Sequence, residues 1–157
     1  MNETPRLKKR VRILFLCTGN SCRSQMAEGF AKDLKCAEVE AYSAGIEPRR
    51  LDPRAVKIMS EVGIDISGQH SKHLDDVDHV EFDWVITLCG HADANCPSFS
   101  RRTKMTHVGF DDPPTLAENA KSEEEALSHY RRVRDEIKAF VERLPEALGE
   151  SCKEIQK

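Results

Sequence analysis

Cys17 and Arg23 are separated by five residues in the run Cys17-Thr18-Gly19-Asn20-Ser21-Cys22-Arg23-Ser24. That spacing suits a thiolate nucleophile and a guanidinium holding the same tetrahedral anion, because a guanidinium donates paired hydrogen bonds to oxyanions. In a tight loop, the backbone N–H groups from Thr18 to Ser24 converge on an anion, and a following helix adds its positive end. The same field lowers the pKa of a cysteine at the start of the loop and favours its thiolate. Gly19 is expected to permit the turn, Asn20 to brace the loop through its side chain, and Ser24 to donate to the Cys17 sulfur. The competing reading is a buried strand-end cysteine beside a surface arginine, so the flanking elements have to decide.

Those elements favour the anion cradle. Val11 to Leu16 is short, apolar and β-prone, as a buried central strand is. From Ser24 to about Lys35, Met26, Ala27, Phe30, Ala31 and Leu34 recur at helical spacing. Val39 to Ser43 reads as a second strand, Phe82 to Leu88 as a third and Lys104 to Val108 as a weaker fourth. Asp52-Pro53 opens a helix to about Val62, since proline suits a first turn. Ile64 to Asp78 reads as irregular or partly helical. Ser122 to about Leu144 reads as a long amphipathic helix, closed by Pro145 and Gly149. Alternating strands and helices imply an α/β fold: one domain over residues 1–157, with three α/β/α layers and a four-stranded, parallel, doubly wound sheet. Ligands bind beyond the carboxyl ends of such strands, where the Cys17 loop lies.

Bulk properties narrow the function. The 157 residues are 39% hydrophobic and 32% charged, with a formal net charge of -3; nothing there calls for nucleic acid or a membrane surface. The basic residues Arg6, Lys8, Lys9, Arg10 and Arg12 are expected to sit in a flexible N-terminus spanning residues 1–10. No signal peptide or membrane span is visible, so a cytoplasmic location is expected. Six cysteines (Cys17, Cys22, Cys36, Cys89, Cys96, Cys152) in a reducing compartment point to catalytic, redox or metal roles rather than structural disulfides.

Residues 17–28, Cys-Thr-Gly-Asn-Ser-Cys-Arg-Ser-Gln-Met-Ala-Glu, resemble the signature of the low-molecular-weight tyrosine phosphatase fold. They are most similar to its thioredoxin-coupled arsenate reductase branch. Tyr42-Ser43-Ala44-Gly45-Ile46, Val85-Ile86-Thr87-Leu88-Cys89, Asn95-Cys96-Pro97, Gly109-Phe110-Asp111-Asp112-Pro113 and Arg132-Val133-Arg134-Asp135-Glu136-Ile137 extend the resemblance in order along the chain. It implies that Asp112, directly before proline, is the general acid. It also implies reduction of arsenate, with phosphate or sulfate as competitors: Cys17 attacks, a Cys17–Cys89 disulfide forms, then Cys89–Cys96, and thioredoxin resets the enzyme. Cys89 follows a strand and so is expected at the same sheet edge as Cys17, and the polar segment Gly90 to Asn95 is expected to rearrange cheaply.

Some enzymes of this type hold potassium with residues matching Asn20, Glu28 and Ser43 and a further acid. Lys72 stands at the acid's position, so potassium dependence is not expected. A zinc site from Cys89, His91, Cys96 and His107 has irregular spacing and no paired Cys-x2-Cys, so no metal is expected. Two further functions remain open: a tyrosine phosphatase using only Cys17, Arg23 and Asp112, and a non-catalytic oxyanion-binding module. Pro114, where the phosphatases usually place an aromatic residue, weighs against the first. Cys22 is a tolerated small residue or a redox liability toward Cys17, and Cys36 and Cys152 have no evident partner.

Overall fold

A computed structural model describes residues 9–149. The expected basic N-terminus, apart from Lys9 and Arg10, and Cys152 lie outside the described residues.

The apolar run near the N-terminus forms β1 (Val11–Cys17), buried on both faces as a central parallel strand must be. It is followed by α1 (Arg23–Leu34), β2 (Val39–Gly45), α2 (Pro53–Ser60) and a 3-10 turn (Leu74–Val77). Then come β3 (Trp84–Thr87), α3 (Gly90–Asn95), β4 (Lys104–His107), α4 (Pro113–Ala117), α5 (Glu123–Glu142) and a last 3-10 turn (Glu146–Leu148). All strand pairs are parallel and the order is β2-β1-β3-β4. The chain leaves β1 toward one side and returns to the other with β3. The loops after β1 and β3 therefore diverge at the carboxyl edge, where doubly wound sheets bind ligands.

Alternation along β1 sorts its side chains. Ile13 and Phe15 face a large core with α1, α2 and α5, while Leu14 and Leu16 face a smaller one with Leu74, Val77, Phe82 and Ala92. The second layer is thin, built from the 3-10 turn and the short α3. The ends of the larger helices carry the expected signals. Asp52 caps α2 through the Arg54 N–H at 2.9 Å, with Pro53 in the first turn, and Ser122 caps α5 through the Glu125 N–H at 3.0 Å.

Some expected boundaries differ. Phe82, Asp83 and Leu88 fall outside β3, and α5 stops at Glu142, two residues before a cis Leu144-Pro145 bond. The segment after Cys89, expected as a rearrangeable loop, is the helix α3, and Pro113 opens the helix α4.

Candidate active site

Cys17 ends β1 and Cys22 is the N-cap residue of α1, whose first turn receives no side-chain cap. The loop between them is bound from outside through its carbonyls. Those of Cys17, Thr18, Gly19 and Ser21 accept from the N–H groups of Ile46 (3.2 Å), Glu47 (2.8 Å), Arg49 (2.8 Å) and Asp52 (2.9 Å). The Asn20 carbonyl accepts from Gln25 Nε2 at 2.9 Å. In a trans peptide, N–H points opposite to C=O, so carbonyls turned outward leave the loop amides facing the cavity. With the free α1 N-terminus, they form an anion cradle.

Asn20, fully buried, is the residue in the left-handed region (φ 49°); Gly19, expected to supply the turn, does not need it. Asparagine tolerates that conformation because its short side chain bonds locally. Asn20 Nδ2 donates to Ser24 Oγ at 2.8 Å and Ser43 Oγ at 3.0 Å, and its Oδ1 accepts from the Lys72 N–H at 3.0 Å. Asn20 therefore braces the loop mainly through other side chains. Gly45 is required here: a Cβ on it would lie 2.7 Å from the Thr18 carbonyl.

The cavity has a volume of about 380 Å³. Cys17, Cys22 and Arg23 form its floor, Asp112, Pro114 and Thr115 one wall, and Glu47, Arg49 and His91 its rim. Arg23 is buried. Its Nη1 donates to the Phe110 carbonyl at 2.9 Å and its Nη2 lies 3.3 Å from Asp112 Oδ1, while its buried Nε has no protein partner. An orphaned buried guanidinium N–H is costly, and a bound oxyanion would satisfy it. Asp112 also accepts from Thr115 Oγ1 at 2.6 Å. Its neighbour Asp111 turns away to pair with Arg132 at 3.0 Å. The structure thus separates the two aspartates, one at the cavity and one on the surface.

Cys89 is the N-cap of α3, its sulfur accepting from the Ala92 N–H at 3.4 Å and lying 3.1 Å from Thr18 Oγ1. Cys17 and Cys89 act on each other through a thiol hydrogen bond. The bond from Cys17, aided by Thr18, Ala92 and Arg23, pushes Cys89 down to about 4 against its burial. Cys17 is raised by giving that bond and by burial, against the pull of Arg23 and of a hydrogen bond from Ser24. The two sulfurs thus titrate as one pair, in which a charge on Cys89 raises Cys17.

Cys96 caps the opposite end of α3. Burial, then the Asp93 charge, push its thiol up. Cys22 is buried and its pKa is raised well above that of a free thiol by desolvation, with Asp52, Cys17 and Asp112 adding negative charge, so it is a poor nucleophile. Cys36 is exposed and far from the cavity in the fold, beyond the end of α1.

The position expected to deter a cation behaves as a cation site already filled. Lys72 Nζ donates to the Ser43 carbonyl at 3.1 Å, beside Glu28, whose carboxylate accepts from Ser43 Oγ at 2.5 Å and from Lys32. Burial lowers the Lys72 pKa while Glu28 opposes the shift. Among the described residues, no three His, Cys, Asp or Glu side chains are grouped to hold a metal ion. His91 faces Glu47 at 3.6 Å and His107 faces Thr87 at 2.9 Å. No helix of the described residues is long and apolar enough to cross a membrane.

Sequence reading missed three supports: Thr18 on Cys89, Gln25 beneath Asn20, and the Tyr130 hydroxyl, which donates to Asp52 at 2.5 Å and ties α5 to the loop. Each joins residues distant in the chain except Gln25, whose place five residues after Asn20 was the only available signal.

The family model described as "Low molecular weight phosphotyrosine protein phosphatase" matches residues 12–154. The chain is 54% identical over 125 residues to an arsenate reductase of Bacillus subtilis (strain 168), covering 80% of this chain and 88% of that protein. It is 52% identical over 136 residues to an arsenate reductase of Shouchella clausii (strain KSM-K16), covering 85% and 94%. A solved arsenate reductase "in the phosphate binding state" superposes with a TM-score of 0.65 at 35% identity, covering 85% of this chain and 95% of that one.

Proposed function

The chain belongs to the low molecular weight phosphotyrosine protein phosphatase family, and from that premise we propose that it reduces arsenate to arsenite through a three-cysteine relay reset by thioredoxin. The observation that carries this reading is Cys89, a second thiol 3.1 Å from Thr18 Oγ1 and hydrogen-bonded to Cys17 at the start of the anion loop. A phosphatase has no use for a second thiol there.

The loop amides and Arg23 bind arsenate and offset its charge. Cys17 attacks arsenic, passing its proton toward the Cys89 sulfur, and Asp112 protonates the oxygen that leaves as water. Cys89 gives that proton up to an arsenic-bound oxygen and, as thiolate, attacks the Cys17 sulfur. The S–As bond breaks with its electron pair passing to arsenic, which falls from As(V) to As(III) and departs as arsenite. Cys96 then attacks Cys89, forming Cys89–Cys96 and freeing Cys17 as thiolate. The thioredoxin dithiol reduces that disulfide.

The second exchange requires motion. Cys89 and Cys96 cap opposite ends of a six-residue helix, which places their Cα atoms about 10 Å apart at ~1.5 Å per residue. A disulfide needs them within about 7 Å, so α3 must unwind. Its brevity makes that inexpensive, and in the unwound form Cys89 moves away from Cys17.

The test is arsenite release with thioredoxin, beside p-nitrophenyl phosphate hydrolysis, for wild type and for C17S, C89S and C96S. The relay predicts that C17S is dead in both assays. C89S and C96S should lose sustained arsenite production while retaining a weak phosphatase side activity. That activity is expected to be weak because Pro114 and Thr115, not aromatic rings, line the wall. With the Lys72 ammonium in place, potassium titrated at constant ionic strength should leave the rate unchanged.

A further inference from the structure

Between the two relay cysteines, buried Ala92 packs α3 against the sheet, and a polar contact that the chemistry above does not use fastens it further. Thr87, the last residue of β3, is fully buried, and its hydroxyl donates to Asp93 Oδ1 at 3.0 Å. His107, at the end of β4, meets the same hydroxyl through Nδ1 at 2.9 Å. A hydroxyl has one proton. With that proton given to Asp93, the His107 ring N–H donates and the hydroxyl accepts. The Thr106 carbonyl, at 3.4 Å, is a weaker alternative acceptor. The remaining tie between α3 and the cavity rim is the exposed His91–Glu47 pair at 3.6 Å, which contributes little at that distance and exposure.

We propose that Thr87, oriented by His107 and bonded to Asp93, is a pin that holds α3 closed in the dithiol state and is released when Cys89 and Cys96 join. The inference rests on the relay reading. Asp93 lies four residues after Cys89 and three before Cys96, in the middle of the segment that must loop out. Thr87 stays on the sheet, two residues before Cys89. Drawing the helix ends together therefore carries Asp93 away from Thr87. Closure by the pin also keeps the Asp93 carboxylate near Cys96, whose thiol is held up by burial and by that charge. Release removes the charge when Cys96 must act as thiolate. Thr87, Asp93 and His107 are positioning residues: they touch neither arsenic nor sulfur.

A bond present in the dithiol and absent in the disulfide biases the redox equilibrium toward the dithiol. The exchange measured is Cys89–SH plus Cys96–SH plus oxidised glutathione, giving Cys89–S–S–Cys96 and two reduced glutathiones. It is followed in glutathione buffers by mass mapping, in a C17S background so that Cys89 has no other partner in the cavity. T87V keeps the shape and removes the hydroxyl, and should move the equilibrium toward the disulfide by about threefold to tenfold, the worth of one such bond. D93A should move it the same way, and T87S should restore the original value. An unchanged equilibrium in T87V, or T87S behaving like T87V, overturns the pin, because support present in both redox states would not move it. Absence of Cys89–Cys96 in every buffer would instead overturn the relay reading, and the pin with it.

Discussion

The oxyanion loop and the α3 segment meet at one sheet edge and each carries reactive sulfur, yet they are held in opposite ways. From Cys17 to Ser21, every carbonyl is engaged from outside, and the asparagine at the centre of the loop is fully buried. From Gly90 to Asn95, one buried alanine, one threonine hydroxyl and an exposed His91–Glu47 contact attach a helix of six residues. A group that must meet a developing charge gains from being fixed in advance. A group that must carry electrons from a buried cavity to a protein partner has to move. On the proposed relay, the first region binds the anion and the second exports the electrons.

The sharpest way to break the contrast is at Arg23, the guanidinium with the unpartnered Nε. R23K keeps a charge but loses the fork, and should lower kcat/KM for arsenate by about 10²–10³-fold in steady-state assays. A loss below tenfold would mean that the loop amides suffice. Next is N20A, which deletes several buried hydrogen bonds and leaves a residue poorly suited to φ 49°. It should cost about 2–4 kcal/mol in denaturant unfolding and raise the KM for arsenate.

T18V probes the seam between the regions. Cys89, pushed down to about 4, keeps its charge above that pH and loses it below. Thiolate absorbance near 240 nm should therefore persist at pH 6 in wild type. Removing the Thr18 hydroxyl raises the Cys89 pKa, so T18V should lose the signal at higher pH, and its first exchange should slow several-fold in mildly acidic buffer. The smallest expected effect is H91A, within about 0.5 kcal/mol of wild type in stability because it removes one exposed pair. A loss matching that of N20A would show that α3 is anchored as firmly as the loop and would end the comparison.

The same contrast explains what could be read from residues alone. The loop is contiguous, sits between a continuous apolar run and a helix-period stretch, and is made of residue types that do one chemistry, so β1, the cradle and α1 were legible together. The α3 and α4 helices were not. Six and five residues are too few to show a period, and α3 starts on an unusual cap, a cysteine sulfur. Gly19 looked like the turn residue because glycine tolerates positive φ most readily, whereas Asn20 adopts it through four partners that only the fold assembles. Asp112 and Asp111 are alike as a sequence pair. Their separation follows from Arg23 on one side and Arg132 on the other. The low pKa of Cys89 draws on Cys17 first and then on Thr18, 71 positions away.

The central claim is that three sulfurs act in turn around one bound anion. The direct test is to treat the reduced protein with arsenate, without thioredoxin or any other reductant, quench with an alkylating agent, and map disulfides by mass spectrometry. The relay predicts one arsenite released per chain, a Cys89–Cys96 bond and alkylated Cys17. Arsenite formed while Cys89 and Cys96 both remain free thiols would contradict it.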